Sequence, residues 1–149
     1  MSMLTLSGSR ARRRALQQVL SATLALVPFA AWATTPSANL IRHGRYVVQD
    51  VAMCGDCHSA RDQHGHYITA RWLRGGPLDI KPTHTMPAWA ARASNLIRLA
   101  RRWSQRDWIR FLRTGIAPNG KHPRPPMPHY RLSSYDAQAV AAYIHSLKP

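Results

Sequence analysis

The five residues Cys54-Gly55-Asp56-Cys57-His58 carry the most specific chemistry in this sequence of 149 residues. Two thiols three positions apart can each add to one vinyl group of a single haem, and the histidine that follows then lies under the iron as its proximal nitrogen ligand. Thioether bonds keep such a haem in a small domain while one face stays near solvent. Three other chemistries compete for the same residues. A Cys-x-x-Cys pair serves thiol–disulfide exchange, usually between the strand and helix of a βαβ unit, and no such unit is read here. It also makes half a zinc site, which His64 and His66 would complete. Or it makes one structural disulfide. Histidine directly after the second cysteine favours haem.

An iron held by His58 needs a ligand on its far side. Met53 directly precedes the cysteines and is poorly placed to reach the opposite face. Met86 and Met127 both stand before proline. Met127 lies in Pro125-Pro126-Met127-Pro128, a stiff extended segment just ahead of Ser133. A proline-fixed loop presents a thioether with little conformational entropy to lose. Met127 is therefore the expected sixth ligand, with Met86 or a histidine as alternatives and core filling as its ordinary role. His64, His66, His84, His122 and His129 fall in loops, and His43 and His145 in helices; each reads more simply as exposed or hydrogen-bonded. Methionine ligation raises the potential relative to two histidines and leaves no open position for peroxide or oxygen.

Composition sets the limits around this site. The length allows one ordinary domain, and 45% hydrophobic residues suffice for a core. Two cysteines exclude a disulfide-dense scaffold and a four-thiolate zinc site. The chain has 21 basic residues, 18 of them arginine, against 6 aspartates and no glutamate, a net charge of +15. Such a balance points to an anionic partner: nucleic acid, membrane surface or acidic protein. Part of it belongs to an address. Arg10, Arg12, Arg13 and Arg14 precede an apolar run over 19–31 and the small-x-small triplet Ala31-Trp32-Ala33. This is the layout of a secretory signal peptide over 1–33, with cleavage after Ala33 and a mature domain over 34–149. An uncut membrane anchor is the alternative, but a span needs about 20 apolar residues and Gln17 and Gln18 shorten this one. Cleavage leaves a net charge of +11. Export also removes nucleic acid as a partner and agrees with haem attachment outside the cytoplasm.

The elements that must position these residues are helical. Ser37 caps a helix leading to the cysteine motif, with Leu40, Ile41, Tyr46, Val47, Val48 and Val51 as its apolar face. Gly44 removes a side chain there, at a cost in helix propensity. Ser133 and Asp136 start a last helix on which Val140, Tyr143, Ile144 and Leu147 form one stripe. Ser104, Asp107 and Gly115 bound a third, with Trp108, Ile109, Phe111 and Leu112 on its apolar side. Alanines with Leu96, Ile97 and Leu99 predict another over 88–103. No strand pattern and no internal repeat is present. The expected fold class is all-α, three to five short helices around one covalently bound haem.

The chain resembles the class I cytochromes c, and more narrowly small exported monohaem cytochromes of proteobacterial type. The resemblance covers nearly all of residues 37–149. Its most specific parts are Cys54–His58, Arg71-Trp-Leu-Arg-Gly-Gly-Pro-Leu78 and Arg124-Pro-Pro-Met-Pro-His-Tyr-Arg-Leu132. It implies that the first and last helices cross near the haem edge, with Gly44 at the close approach, and that Met127 holds the axial position. It further implies that the proximal histidine donates to a proline carbonyl in a Gly-Pro-x-Leu loop. Gly76-Pro77-Leu78 is the match, one residue short, which makes Pro77 the expected acceptor and Leu78 a haem contact. Asn95 resembles a position before the third helix, with Ser94 where the resemblance has proline. Trp103, Tyr67, Trp72, Arg71 and Arg74 are unranked candidates for the haem propionates.

The implied function is a periplasmic one-electron carrier with one haem c, monomeric unless bound in a complex, passing electrons from a dehydrogenase or quinol-oxidising complex to a terminal acceptor. It is an electron-transfer protein rather than an enzyme. Two alternatives differ from it: a bound haem subunit of a larger oxidoreductase, and a haem enzyme or sensor with an open distal site. Arg92, Arg98, Arg101, Arg102, Arg106, Arg110 and Arg113 cluster with only Asp107 among them. They read as a solvated surface or as a docking face for an acidic redox partner or anionic lipid.

Overall fold

The computed structural model describes residues 36–147. The expected signal peptide over 1–33 lies outside the described residues. Helix α1, Ala38–Tyr46, begins where Ser37 turns its side chain to accept from the Leu40 N–H at 3.2 Å. It continues as one wider π-helical turn, Val47–Val51, that buries Val47 and Val48. The chain then reverses through Met53, at a left-handed φ of 46°, into the short helix α2, Cys54–His58. The first helix thus delivers the cysteine motif as expected.

Helix α5, Ser134–Ser146, is capped by Ser133, which accepts from the Asp136 N–H at 3.1 Å. Val140, Tyr143 and Ile144 are buried, and so are the alanines between and before them at 137, 139, 141 and 142. Those alanines let α1 lie close along α5. A Cβ built on Gly44 would stand 1.9 Å from the Ala139 carbonyl oxygen, so glycine is required by the crossing. His43 Nε2 and Asp136 Oδ1, 2.7 Å apart, join the two helices at its edge. His43 and Ser133 together hold the Asp136 carboxyl below the usual range.

Helix α4, Gln105–Thr114, has a full capping box: Ser104 accepts from the Asp107 N–H, and the Asp107 carboxylate accepts from the Ser104 N–H. It ends at Gly115, whose φ of 71° suits glycine. Its Trp108, Phe111 and Leu112 join Val140 and Ile144 in one core with Leu73, Leu96 and Ile97.

Two expectations need correction. The helix expected over 88–103 is only Leu96–Ala100, here α3. The preceding residues are taken up by pairing: Arg92–Ala93 (β2) runs antiparallel to Gly76–Pro77 (β1), with Gly76 opposite Ala93 and Pro77 opposite Arg92. Asn95 then caps α3 by accepting from the Arg98 N–H at 2.8 Å. The helix also stops early, because the N–H groups of Arg102 and Trp103 both turn back to the Leu99 carbonyl. The second correction is the strand pair itself, too short for any alternation to register. The architecture is otherwise the expected all-α one, that of a class I cytochrome c.

Candidate haem site

On α2, Cys54 and Cys57 stand one turn apart, which places both on one side of the helix. His58 ends it, buried to 7% exposure. Its Nδ1 lies 2.8 Å from the Ser94 carbonyl oxygen. A carbonyl only accepts, so Nδ1 carries the proton and donates, which leaves Nε2 as the nitrogen with a free lone pair. Burial holds the His58 pKa below its ordinary value, against the opposing pull of the Ser94 bond. The ring is therefore a neutral imidazole, the form a metal takes. The Gly75 N–H donates to the His58 carbonyl at 2.7 Å, and Ser59 Oγ accepts from the Leu73 N–H at 2.9 Å. Gly55 is forced by Trp72, whose ring would lie 2.5 Å from a Cβ there.

Pro77 is not the acceptor that the resemblance implied. It is exposed on β1 and paired with Arg92. The strand pair carries Pro77 outward and brings Ala93-Ser94-Asn95-Leu96 beside His58. That segment fills the expected loop's place, with Ala93-Ser94 where Gly-Pro was anticipated. The acceptor is a main-chain oxygen, so a different side chain serves equally. Leu78 borders the cavity described next.

Cys54, Cys57 and His58 border a mostly apolar cavity of about 450 Å³. Leu96 and Leu99 line it from α3, Trp103 from the turn that follows, Trp108, Phe111 and Leu112 from α4, and Met127 from the proline-rich loop. Met127 is half-buried. Its loop is tied down by the Tyr130 hydroxyl, which donates to the Ala52 carbonyl at 2.6 Å, and by the Ala90 N–H on the Pro125 carbonyl at 2.7 Å. Met86 does not border the cavity. Of the alternative histidines only His122 does; its Nδ1 is engaged with the Gly115 carbonyl at 2.8 Å, and its ring stacks on His129 at 4.5 Å.

Among the propionate candidates, Trp103 alone borders this cavity. The Tyr67 hydroxyl binds Asp56, and Trp72 Nε1 donates to the Tyr143 hydroxyl at 3.0 Å. Arg71 and Arg74 lie elsewhere. Sequence reading missed the cations Arg92, Lys121 and Arg124, which border the cavity with no carboxylate in its lining among the described residues. It also missed a polar orphan. Trp108 Nε1 is buried without a hydrogen-bond partner among the described residues, which costs about 1–3 kcal/mol if nothing meets it. An apolar cavity bordered by two thiols, an imidazole, a thioether and cations without anions fits haem and its two carboxylates.

The rival chemistries fit less well. Burial, with smaller contributions from Cys57 and Asp56, pushes the Cys54 thiol up to about 11, whereas an exchange centre needs a lowered thiol pKa. Cys57 is shifted the same way, chiefly by burial. No group of three or more histidine, cysteine or acidic side chains suited to zinc comes together among the described residues.

Comparison with known proteins agrees with the geometry. The family model for cytochrome c matches residues 42–148. The chain belongs to the cytochrome c family, whose cofactor is covalently held haem c and whose activity is electron transfer. It is similar to a protein described as "Diheme cytochrome c-type" from Cereibacter sphaeroides, at 29% identity over 106 residues. That match covers 68% of this chain and 33% of the relative, so the chain spans about a third of that protein's length.

Proposed function

We propose that this chain is a one-electron carrier with a single haem, attached through Cys54 and Cys57 and ligated by His58 and Met127. The observation that carries this reading is His58, neutral and fixed through Ser94, bordering the same cavity as both thiols and Met127. One Cys-x-x-Cys-His motif and two cysteines in the whole chain support one haem rather than two. When bound, haem supplies the one-electron iron couple. The protein's part is to fix both axial donors, exclude water from the cavity and leave an edge accessible. The signal-peptide pattern over 1–33 supports a periplasmic location. Expression of the full chain with a haem-maturation system tests the reading. It should yield a product heavier by one haem, with both thiols blocked and a long-wavelength Met-to-iron band when ferric. Replacing both cysteines by serine should abolish covalent haem altogether. Haem retained through denaturation in that variant would overturn the assignment.

A second reading is favoured by the length of the relative, about three times the stretch matched here. In it the chain works as the haem subunit of a larger oxidoreductase. Co-purification of native protein separates this from a free monomeric carrier.

The docking partner is proposed to be a redox protein with an acidic face, ahead of anionic lipid and to the exclusion of nucleic acid. Arg98, Arg101, Arg102, Arg106, Arg110 and Arg113 are all exposed along α3, the turn after it and α4. Asp107, the lone acid among them, serves the α4 cap and sits only 4.0 Å from Arg110. Trp103, next to Arg102, borders the cavity, so this face adjoins the site. Arg101→Glu with Arg102→Glu should slow association with an acidic redox partner about tenfold at low salt, and the difference should vanish at high salt. Stopped-flow electron transfer at several ionic strengths measures it; rates blind to salt would remove the docking role.

A further inference from the structure

A second concavity, a groove of about 560 Å³, shares no lining residue with the haem cavity. Helix α5 divides its residues between the two by its period. Val140 and Ile144, one turn apart, line the haem cavity, whereas Tyr143 and Leu147, also one turn apart, line the groove. The buried and half-buried lining is chiefly apolar, with Trp72 and Ile97 beside Tyr143 and Leu147. Arg45 and Arg74 line the groove too, and both are exposed. Neither takes part in an ion pair among the described residues. Arg45 engages its Nε, which donates to Gln49 Oε1 at 2.6 Å. No carboxylate side chain stands in the lining among the described residues. A third donor is left over. The Tyr143 hydroxyl accepts from Trp72 Nε1 at 3.0 Å, and its own proton meets no acceptor among the described residues. Tyr143 is 7% exposed, so solvent reaches it little.

We propose that this groove is a docking site for an acidic segment of a partner protein, in which carboxylates flank one bulky apolar side chain. The apolar side chain packs on Trp72, Ile97 and Leu147. The carboxylates pair with Arg45 and Arg74, and one of their oxygens accepts the Tyr143 O–H. Donors without an acceptor select an anion, and the apolar lining selects what that anion is attached to. A second copy of this chain suits the groove poorly, because the chain carries 21 basic residues against 6 acidic ones. The site is separate from the arginine-rich face, none of whose arginines lines it. Its occupant need not cover any residue of the haem cavity, which suits a partner that holds the chain while electrons pass elsewhere.

The test uses the full chain, haem-loaded, reduced and labelled with ¹⁵N, with the Trp72 indole signal assigned by its contacts with Tyr143. The probe is the peptide Gly-Glu-Leu-Glu-Gly, capped at both ends. It should shift the Trp72 signal saturably, with an affinity that falls as salt is added. The capped peptide Gly-Gln-Leu-Gln-Gly should leave the signal in place. Arg45→Glu with Arg74→Glu should weaken binding of the acidic peptide by at least about tenfold. Arg101→Glu with Arg102→Glu should leave the Trp72 shift and its affinity nearly as in the parent. No saturable shift, an equal shift with the glutamine peptide, or an affinity indifferent to the Arg45 and Arg74 changes overturns the proposal. Hexanoate that saturates the shift at lower concentration than the peptide overturns it too, by assigning the groove to a free organic acid. Failure of the haem reading looks different, since the parent protein would then carry no covalent haem or show no Met-to-iron band, whatever happens at Trp72.

Discussion

Gly44→Ala is expected to cost at least about 3 kcal/mol of stability, the upper range for forcing atoms into a closed core. The added methyl would lie 1.9 Å from the Ala139 carbonyl oxygen, 2.4 Å from its carbon and 2.9 Å from the Tyr143 Cβ. The first two are main-chain atoms of α5, so no rotamer change relieves the clash and the helices must separate. Separation would also strain the His43–Asp136 contact and draw Tyr143 away from Trp72, the residue lying over Gly55 of the cysteine motif. Alanine's better helix propensity returns at most about 1 kcal/mol. Thermal unfolding of the haem-loaded protein should show a midpoint lower by on the order of 10 °C or more. A midpoint equal to the parent's would mean that α1 and α5 do not cross as described. The same change at Gly65, where a Cβ meets nothing within 4 Å, controls for loss of glycine, though its φ of 83° carries a strain of its own.

Met127→Ala should leave haem covalently attached but abolish the Met-to-iron band and lower the potential, by on the order of a tenth of a volt or more within the roughly 0.8 V that axial ligation spans. The proposed ligand is held by a loop with its own ties, through Tyr130 to Ala52 and through Pro125 to Ala90. Truncation at 127 therefore removes the thioether without freeing the loop. Two controls address the other candidate ligands. Met86→Ala should be silent, because Met86 does not border the cavity. His122→Ala should keep the band as well, its ring being engaged with Gly115 and His129. A band that survives in Met127→Ala and disappears in His122→Ala would reassign the sixth ligand.

Much of this was legible before the structure. Caps at Ser37, Ser104 and Ser133 are local signals, since each side chain accepts from the main-chain N–H three residues on, and each marked its helix correctly. The cysteine motif is similarly local. What failed to show depended on non-local pairing. Residues 88–95 look helical by composition, but Arg92–Ala93 meets Gly76–Pro77 across the chain, and two paired residues leave no pattern to read. The acceptor for His58 was sought at Pro77 because a proline is visible and a carbonyl is not. The polar requirement at Trp108 was hidden for a related reason: on a helix face its ring counts as apolar, and only the finished core reveals a nitrogen with nothing opposite.

The Ser94 carbonyl has an evolutionary consequence. The bond that fixes the protonation of His58 is made by an oxygen that every amino acid possesses. No codon change at position 94 can delete it; only a shift in the path of the main chain can. Inheritance is therefore free to vary this position while the imidazole stays aimed. The chain has used that freedom, carrying serine where its resemblance to class I cytochromes led one to expect proline.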